Sequence, residues 1–386
     1  MRLARESVDK NDLLRDCKDL NDNLRLCNKY LTEIIENSAN DNEIDVEFIT
    51  KDLGKEIDAE RETSNNRNEE FNHQRYMRTE DIHDWLNNLA KTTKRMKLET
   101  IGQTAEGRSI HIVKINSDEI NLPKIFIDAG VHAREWISPA ATLYLIEKLV
   151  KANAKGSRPI SNYQWHIVPL ANPDGYEYSH THDRMWRKNR VSNPGSSCKG
   201  VDLNRNFAKG YGIGASNNPC TDVYKGTRPF SEKESIAIRD YIQSTRNIRA
   251  AVSIHSYGNY LFYPWGFKNT QHPRRRQLKR LAKSVQKSIL KKTKESYKIG
   301  TAVEVGWIEG TISKTKIFEL TDISKLFINI LQLLGAAGGC TDDWYITQNI
   351  PYSFTFELPG KDKHGNFFSF QLPASNIRQV TIGFRN

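Results

Sequence analysis

Ile125-Phe126-Ile127-Asp128-Ala129-Gly130-Val131-His132-Ala133-Arg134-Glu135-Trp136 is the stretch from which the rest of the chain is read. An apolar run of strand length enters a tight turn that presents a His and a Glu three residues apart. A neutral imidazole and a carboxylate at that spacing can share one metal ion. Catalytic zinc commonly takes two His and one Glu, with water in the fourth position. A second His at the end of an apolar strand is therefore required, and Ala251-Val252-Ser253-Ile254-His255-Ser256-Tyr257 supplies it.

Outward from these two segments, strand patterns at 110–115, 124–129, 165–170, 250–255 and 352–358 alternate with helical patterns at 79–89 and 139–150. Asn172-Pro173-Asp174-Gly175 reads as a turn. The alternation predicts an α/β fold, a mixed central sheet flanked by helices. Catalytic residues in such sheets gather at the carboxyl ends of strands, where His132, His255 and Glu357 fall. A lone carboxylate ending an apolar strand, as Glu357 does, is costly to bury, which favours a functional reason for it.

The 386 residues, 38% hydrophobic and 27% charged, are ample for one large core or for a large and a small domain. Residues 1–62 are polar and helix-prone, with a short strand at 45–49, and 61–70 contain no apolar residue and read as an exposed linker. A protease directed to basic residues could cut after Arg61 or Arg67. The net charge is +11, and much of the excess lies in 272–298. There Leu278, Leu281, Ala282, Val285, Ile289 and Leu290 recur at near-helical spacing, so the plain reading is an amphipathic surface helix with a solvated basic face, and the alternative is a site for a polyanion such as heparin. No base-reading motif accompanies it, and no nucleic-acid partner is expected. No apolar run is long enough to suggest a membrane span, and the N-terminus has no apolar signal core. Of five cysteines, Cys198 and Cys220 flank a loop rich in Asn, Gly and Ser and could pair in an oxidising compartment. Cys17, Cys27 and Cys340 are spaced unlike zinc knuckles.

Four motifs, in order, resemble the zinc carboxypeptidases of the A/B type over roughly residues 40–382: His132-Ala133-Arg134-Glu135-Trp136, Val201-Asp202-Leu203-Asn204-Arg205-Asn206-Phe207, Ser253-Ile254-His255-Ser256-Tyr257, and Tyr352-Ser353-Phe354-Thr355-Phe356-Glu357-Leu358. The resemblance implies a monomeric exopeptidase acting on peptide and protein C-termini with one zinc ion. His132, Glu135 and His255 then resemble the metal ligands, Asp202 the carboxylate orienting His132, and Glu357 the general base. Arg187 resembles the cation that stabilises the oxyanion. Asn204 and Arg205 resemble the grip on the terminal carboxylate, and Arg134 and Tyr257 residues of the adjoining subsites. Cys198 and Cys220 correspond to a family disulfide. Residues 1–67 resemble a small, incomplete α+β activation segment with its linker, removed by a trypsin-like protease, and 68–386 the catalytic domain. The family setting is secretory.

The pattern is also departed from. The start lacks the leader and the first strands of the activation segment. Residues 306–332 have no counterpart, Leu334 stands where the family has a mobile Tyr, and the end at Asn386 is short. Together these features point to an imperfectly assembled coding sequence; a mature transcript encoding the insert would contradict that. Counted back from Trp344, Asp342 takes the place of the acid that selects C-terminal Lys or Arg, which favours a B-like preference. Gly266, at the matching pocket wall, does not discriminate. The competing class is a catalytically impaired or non-catalytic peptide-binding relative.

Overall fold

The computed structural model describes residues 53–65, 73–119, 121–309, 336–362 and 364–382. The expected strand at 45–49, Cys17, Cys27, Leu334 and residues 310–332 of the insert lie outside them. Two compact units divide the chain, Met1–Glu62 and Thr63–Asn386.

The principal elements are α1 (Leu53–Asn65), α2 (Thr79–Thr92), β1 (Met96–Gln103), β2 (Ser109–Ile115), β3 (Lys124–Ala129), α3 (Ile137–Ala154), β4 (Gln164–Val168) and α4 (Pro173–Thr181). After a long disulfide-bonded loop come α5 (Lys233–Ser244), β5 (Ile248–Ser256), β6 (Tyr260–Phe262), α6 (Arg275–Thr293), β7 (Lys298–Gly300), α7 (Ala302–Glu309), α8 (Thr341–Tyr345), β8 (Tyr352–Leu358) and α9 (Ile377–Ile382).

The eight strands form one mixed sheet in the order β1-β2-β4-β3-β5-β8-β6-β7. Its centre, β4-β3-β5-β8, is parallel, as the apolar runs require, because strands covered on both faces carry few polar positions. One face packs on α3, which is buried on almost every side, through Ile127, Ile137, Leu145, Ile146 and Ile167. The other packs on α5 through Phe126, Ala251, Ile238 and Ile242. From β3 the chain runs to β4 on one side, and β5 then pairs with β3 on the other. That reversal opens a crevice at the carboxyl ends of β3 and β5.

Two readings are corrected. Asn172-Pro173-Asp174-Gly175 is a helix start rather than a free turn: the Asn172 Oδ1 accepts from the Gly175 backbone N–H at 3.0 Å, and Pro173 sits where no N–H is needed. Residues 61–65 are the last turn of α1, not an exposed linker, and Ser64 is buried. The polar Glu-Arg-rich sequence contains no Gly or Pro to stop a helix. The strand β1 and helix α5 went unpredicted; in β1 the alternation is blurred by a bulge between Thr100 and Gly102.

Candidate active site

The backbone brings the first half-site into place through Gly130. Its φ of +66° turns the chain out of β3, and a Cβ there would lie 2.8 Å from the Leu170 side chain. His132 and Glu135 follow in the turn, and α3 begins at Ile137. Asn172 fastens this turn to the next loop, donating to the carbonyls of Val131 and Lys188, both at 3.1 Å. The Ala133 N–H donates to the Arg187 carbonyl at 3.0 Å. The loop that carries Arg187 is thus hydrogen-bonded to the turn that carries His132.

His255, near the end of β5, completes a cluster. His132, Glu135 and His255 each bring one donor atom within 4.8 Å of the others, and all three are buried. The His132 Nδ1 lies 2.7 Å from Glu135 Oε1, and the His255 Nδ1 lies 3.0 Å from Glu135 Oε2 and 3.1 Å from the His132 Nδ1. The outward partners of the two rings fix where their protons reside. The His132 Nε2 faces Asp202 Oδ1 at 3.1 Å, an acceptor only, so that nitrogen carries the proton. The His255 Nε2 faces the Ser253 hydroxyl at 2.9 Å. That hydroxyl commits its single proton to Asp128 Oδ2 at 2.6 Å, while Tyr345 donates to Asp128 Oδ1 at 2.6 Å. Ser253 therefore accepts from His255, and both Nδ1 lone pairs point at the same spot as the Glu135 carboxylate. Two lone pairs and an anion converging in a buried space fit a cation, and the nitrogen and oxygen donors suit zinc.

The electrostatics agree. Burial opposes charge on His255, yet the carboxylates of Glu135, Glu357 and Asp128 outweigh it and hold the imidazole up at about 9. Burial works against Glu135 ionising, but the two imidazoles draw its pKa well below the usual carboxylate range. For His132, burial and the nearby Arg187 prevail and favour the neutral ring. The same anions that hold a proton on His255 favour a cation at the centre of the cluster.

Asp202 holds two groups at once. Besides facing His132, it accepts from Arg187 Nε at 3.0 Å and pairs with Nη2 at 2.9 Å. Arg187 Nη1 lies 4.0 Å from Glu135. Glu357 arrives from β8, where it pairs in register with His255 on the adjacent parallel strand. Burial pushes its carboxyl up to about 8, with Glu135 and Asp342 adding to the rise and His255 and Arg187 opposing it.

A second group of predicted residues lies around the start of α8. The Asn204 Oδ1 accepts from the Thr341 N–H at 3.0 Å. Arg205 is 4% exposed; its Nη1 donates to the Asn204 carbonyl at 2.8 Å, but its Nε has no hydrogen-bond partner, and it makes no ion pair among the described residues. Asp342 is buried and accepts from the Asp343 N–H at 2.9 Å; Asp343 is held by the N–H groups of Gly266 and Phe267. Burial raises the pKa of both acids. Arg134 and Tyr257 meet on one aromatic wall: Arg134 lies 4.7 Å over the Phe370 ring, and Tyr257 packs edge-on to it at 4.8 Å. Arg134 also donates to Asp222 at 3.0 Å.

Residues 82–382 match the family model described as zinc carboxypeptidase. The chain belongs to the zinc carboxypeptidase family. It is 35% identical to carboxypeptidase A1 of Rattus norvegicus over 312 residues, 80% of this chain and 67% of the rat protein. It is 34% identical to carboxypeptidase B of Rattus norvegicus over 354 residues, 90% and 77% of the two chains. Carboxypeptidase A from Helicoverpa armigera superposes with a TM-score of 0.74 at 29% identity, over 92% of this chain and 84% of the other. Family membership makes this chain a metal-dependent peptide hydrolase acting at C-termini, with zinc as its metal. A-type and B-type relatives match at nearly equal identity, so the comparison does not separate them.

The zinc carboxypeptidase motifs led to His132, Glu135, His255, Arg187, Asp202 and Glu357, and the fold brings these side chains together. They did not lead to Asp128, Ser253, Tyr345 or Phe370. One signal was available for Asp128, an acid in the middle of an otherwise apolar buried strand, which must find donors there. Ser253, Tyr345 and Phe370 have no such signal, because a Ser, a Tyr or a Phe in an apolar segment is common. The Cys198–Cys220 disulfide is formed, and Cys340 is free and buried.

Proposed function

We propose that His132, Glu135 and His255 hold the zinc ion of a carboxypeptidase that favours C-terminal Lys or Arg. When bound, zinc supplies a Lewis acid that polarises the scissile carbonyl and acidifies a water. Glu357 takes the proton of the attacking water at a carboxylate oxygen and hands it to the leaving amine nitrogen. Arg187, fixed by Asp202, faces the negative charge that develops on the carbonyl oxygen. Asp202 keeps the His132 Nδ1 lone pair inward, and Ser253 with Asp128 does the same for His255.

The observation that carries the exopeptidase reading is Arg205. A buried guanidinium with an orphan Nε and no ion pair at contact distance is expensive. A substrate's terminal carboxylate supplies the missing anion, with Asn204 beside it. Asp342 presents the converse case, a buried acid that makes no ion pair at contact distance among the described residues, which a C-terminal Lys or Arg side chain would satisfy. Arg134 and Tyr257 line the neighbouring subsites. We further propose a secreted, monomeric zymogen with an activation segment over 1–67, the disulfide supporting an oxidising compartment. Arg61 lies inside α1, which disfavours proteolysis there and leaves Arg67 as the cleavage position for a trypsin-like protease.

The test is hydrolysis of matched peptides ending in Arg and Phe after trypsin treatment with zinc added. Faster release of Arg supports the reading; zinc binding with no release of either residue identifies a non-catalytic peptide binder and overturns it. Glu135→Ala is expected to lose zinc and Glu357→Gln to keep it.

A further inference from the structure

The basicity of this protein is local. Between Arg274 and Lys294 there are ten Lys and Arg and no Asp or Glu, which leaves the rest of the chain within one charge of neutrality. These residues make up α6 and its two flanking positions. Leu278, Ala282 and Ile289 bury one side of the helix in the core with Leu261, Tyr297 and Phe356. Arg276, Lys279, Arg280, Lys283, Lys287 and Lys291 follow one another at intervals of one to four residues and share the opposite side. All but the half-buried Lys279 are exposed, and none of the six makes an ion pair among the described residues. At 1.5 Å per residue the row is about 22 Å long.

Helix stability does not account for this arrangement. Arg274, Arg275 and Arg276 crowd the positive end of the helix dipole, and the first turn contains no acid to offset them. Arg275 alone is relieved, by Glu304 at 2.7 Å. Like charges one helical turn apart repel along the remaining row. A solvated face needs charge but not a single sign of charge.

We propose that this face of α6 is a docking surface for a sulfated polysaccharide chain. A straight row of cations matches a linear polymer whose anions repeat along its length, and binding is driven by release of its counterions. Other polyanions fit less well. The helix has no aromatic side chain on which a base could stack. Most of its apolar side is already used by the core, and the exposed Leu281 and Leu290 are too few to form a continuous apolar face for insertion into a lipid surface. The Cys198–Cys220 disulfide fits the oxidising compartment proposed above, where sulfated polysaccharides are the polyanions at hand. The surface shares no residue with the peptidase site, so it would tether the enzyme without being consumed in catalysis.

The test uses the full chain and a heparin-type octasaccharide, with affinity measured at several salt concentrations. Binding should weaken steeply with salt. Joint substitution Arg280→Gln, Lys283→Gln and Lys287→Gln should weaken it by about 30-fold or more and flatten the salt dependence. Zinc content should stay unchanged and the thermal midpoint unchanged or higher, since like-charge repulsion is removed. Undiminished octasaccharide binding by the triple variant would overturn the proposal. So would equal or tighter binding of the wild type to duplex DNA or to vesicles of phosphatidylserine, because the surface would then not select a sulfated chain.

Discussion

The two buried clusters of charge at the crevice are built on opposite principles. In the first, the carboxylates that fix the metal-binding rings are each bridged by two groups: Asp202 lies between His132 and Arg187, and Glu135 between His132 and His255. In the second, Arg205 and Asp342 are buried and neither makes an ion pair at contact distance among the described residues. Satisfied charges are rigid, and they aim lone pairs and a guanidinium at fixed points. Unsatisfied charges lower stability and are retained where a ligand completes them. The first cluster is machinery; the second, on this reading, is the imprint of a substrate that has a carboxylate at one end and a cation on its side chain.

Substitutions should separate the two clusters. The largest effect is expected in the first cluster. Glu357→Gln keeps the shape and removes the base, so kcat should fall by about 10³- to 10⁴-fold with zinc still bound. Equal loss of zinc and activity would instead make Glu357 part of the metal cluster. In the second cluster, Asp342→Asn should lower kcat/KM for peptides ending in Arg by about 10- to 100-fold and leave those ending in Phe nearly unchanged. The same variant carries a stability signature. Burial raises the Asp342 pKa above its ordinary value of 3.8, so ionisation opposes folding, with a cost absent below that pH and growing above it. Asp342→Asn should therefore raise the thermal midpoint more at pH 8 than at pH 4; the reverse order would mean the carboxylate is compensated after all.

A smaller effect tests how far zinc neutralises the first cluster. Burial and the Glu135 carboxylate push the Glu357 carboxyl up from 4.5 to about 8. A base works only when ionised, so activity is present above its pKa and lost as pH falls through it. The positive charge of bound zinc pulls that value down. The ascending limb of kcat/KM against pH should accordingly have its midpoint between 4.5 and 8, and Glu357→Gln should abolish the limb in the residual activity. A midpoint at or below 4.5 would remove Glu357 as the group responsible.

The sheet was legible because its central strands are apolar runs bounded by polar turns: 124–129 and 352–358 match β3 and β8 at both ends. Edge elements were not, since half-exposed strands such as β1 mix their pattern with a bulge. Of the site, residues next to a strand end or within a motif could be named from sequence. The support behind them could not, because it depends on register. Ser253 reaches Asp128 only because β3 and β5 pair them directly across the sheet. Tyr345 joins them from α8, more than two hundred residues further along the chain. The unpartnered Nε of the buried Arg205 is a property of the folded state alone; in the sequence it is one more Arg in a basic protein.

Arg205 gives the most direct test. For two peptides identical except that one ends in a free carboxylate and the other in an amide, wild type should prefer the acid by about 100-fold or more in kcat/KM. Arg205→Leu should lose most of that preference through the acid peptide alone, without loss of zinc and with an unchanged or higher thermal midpoint. A variant that binds zinc and still prefers the free carboxylate as strongly as wild type would contradict the reading of the second cluster as the substrate's imprint.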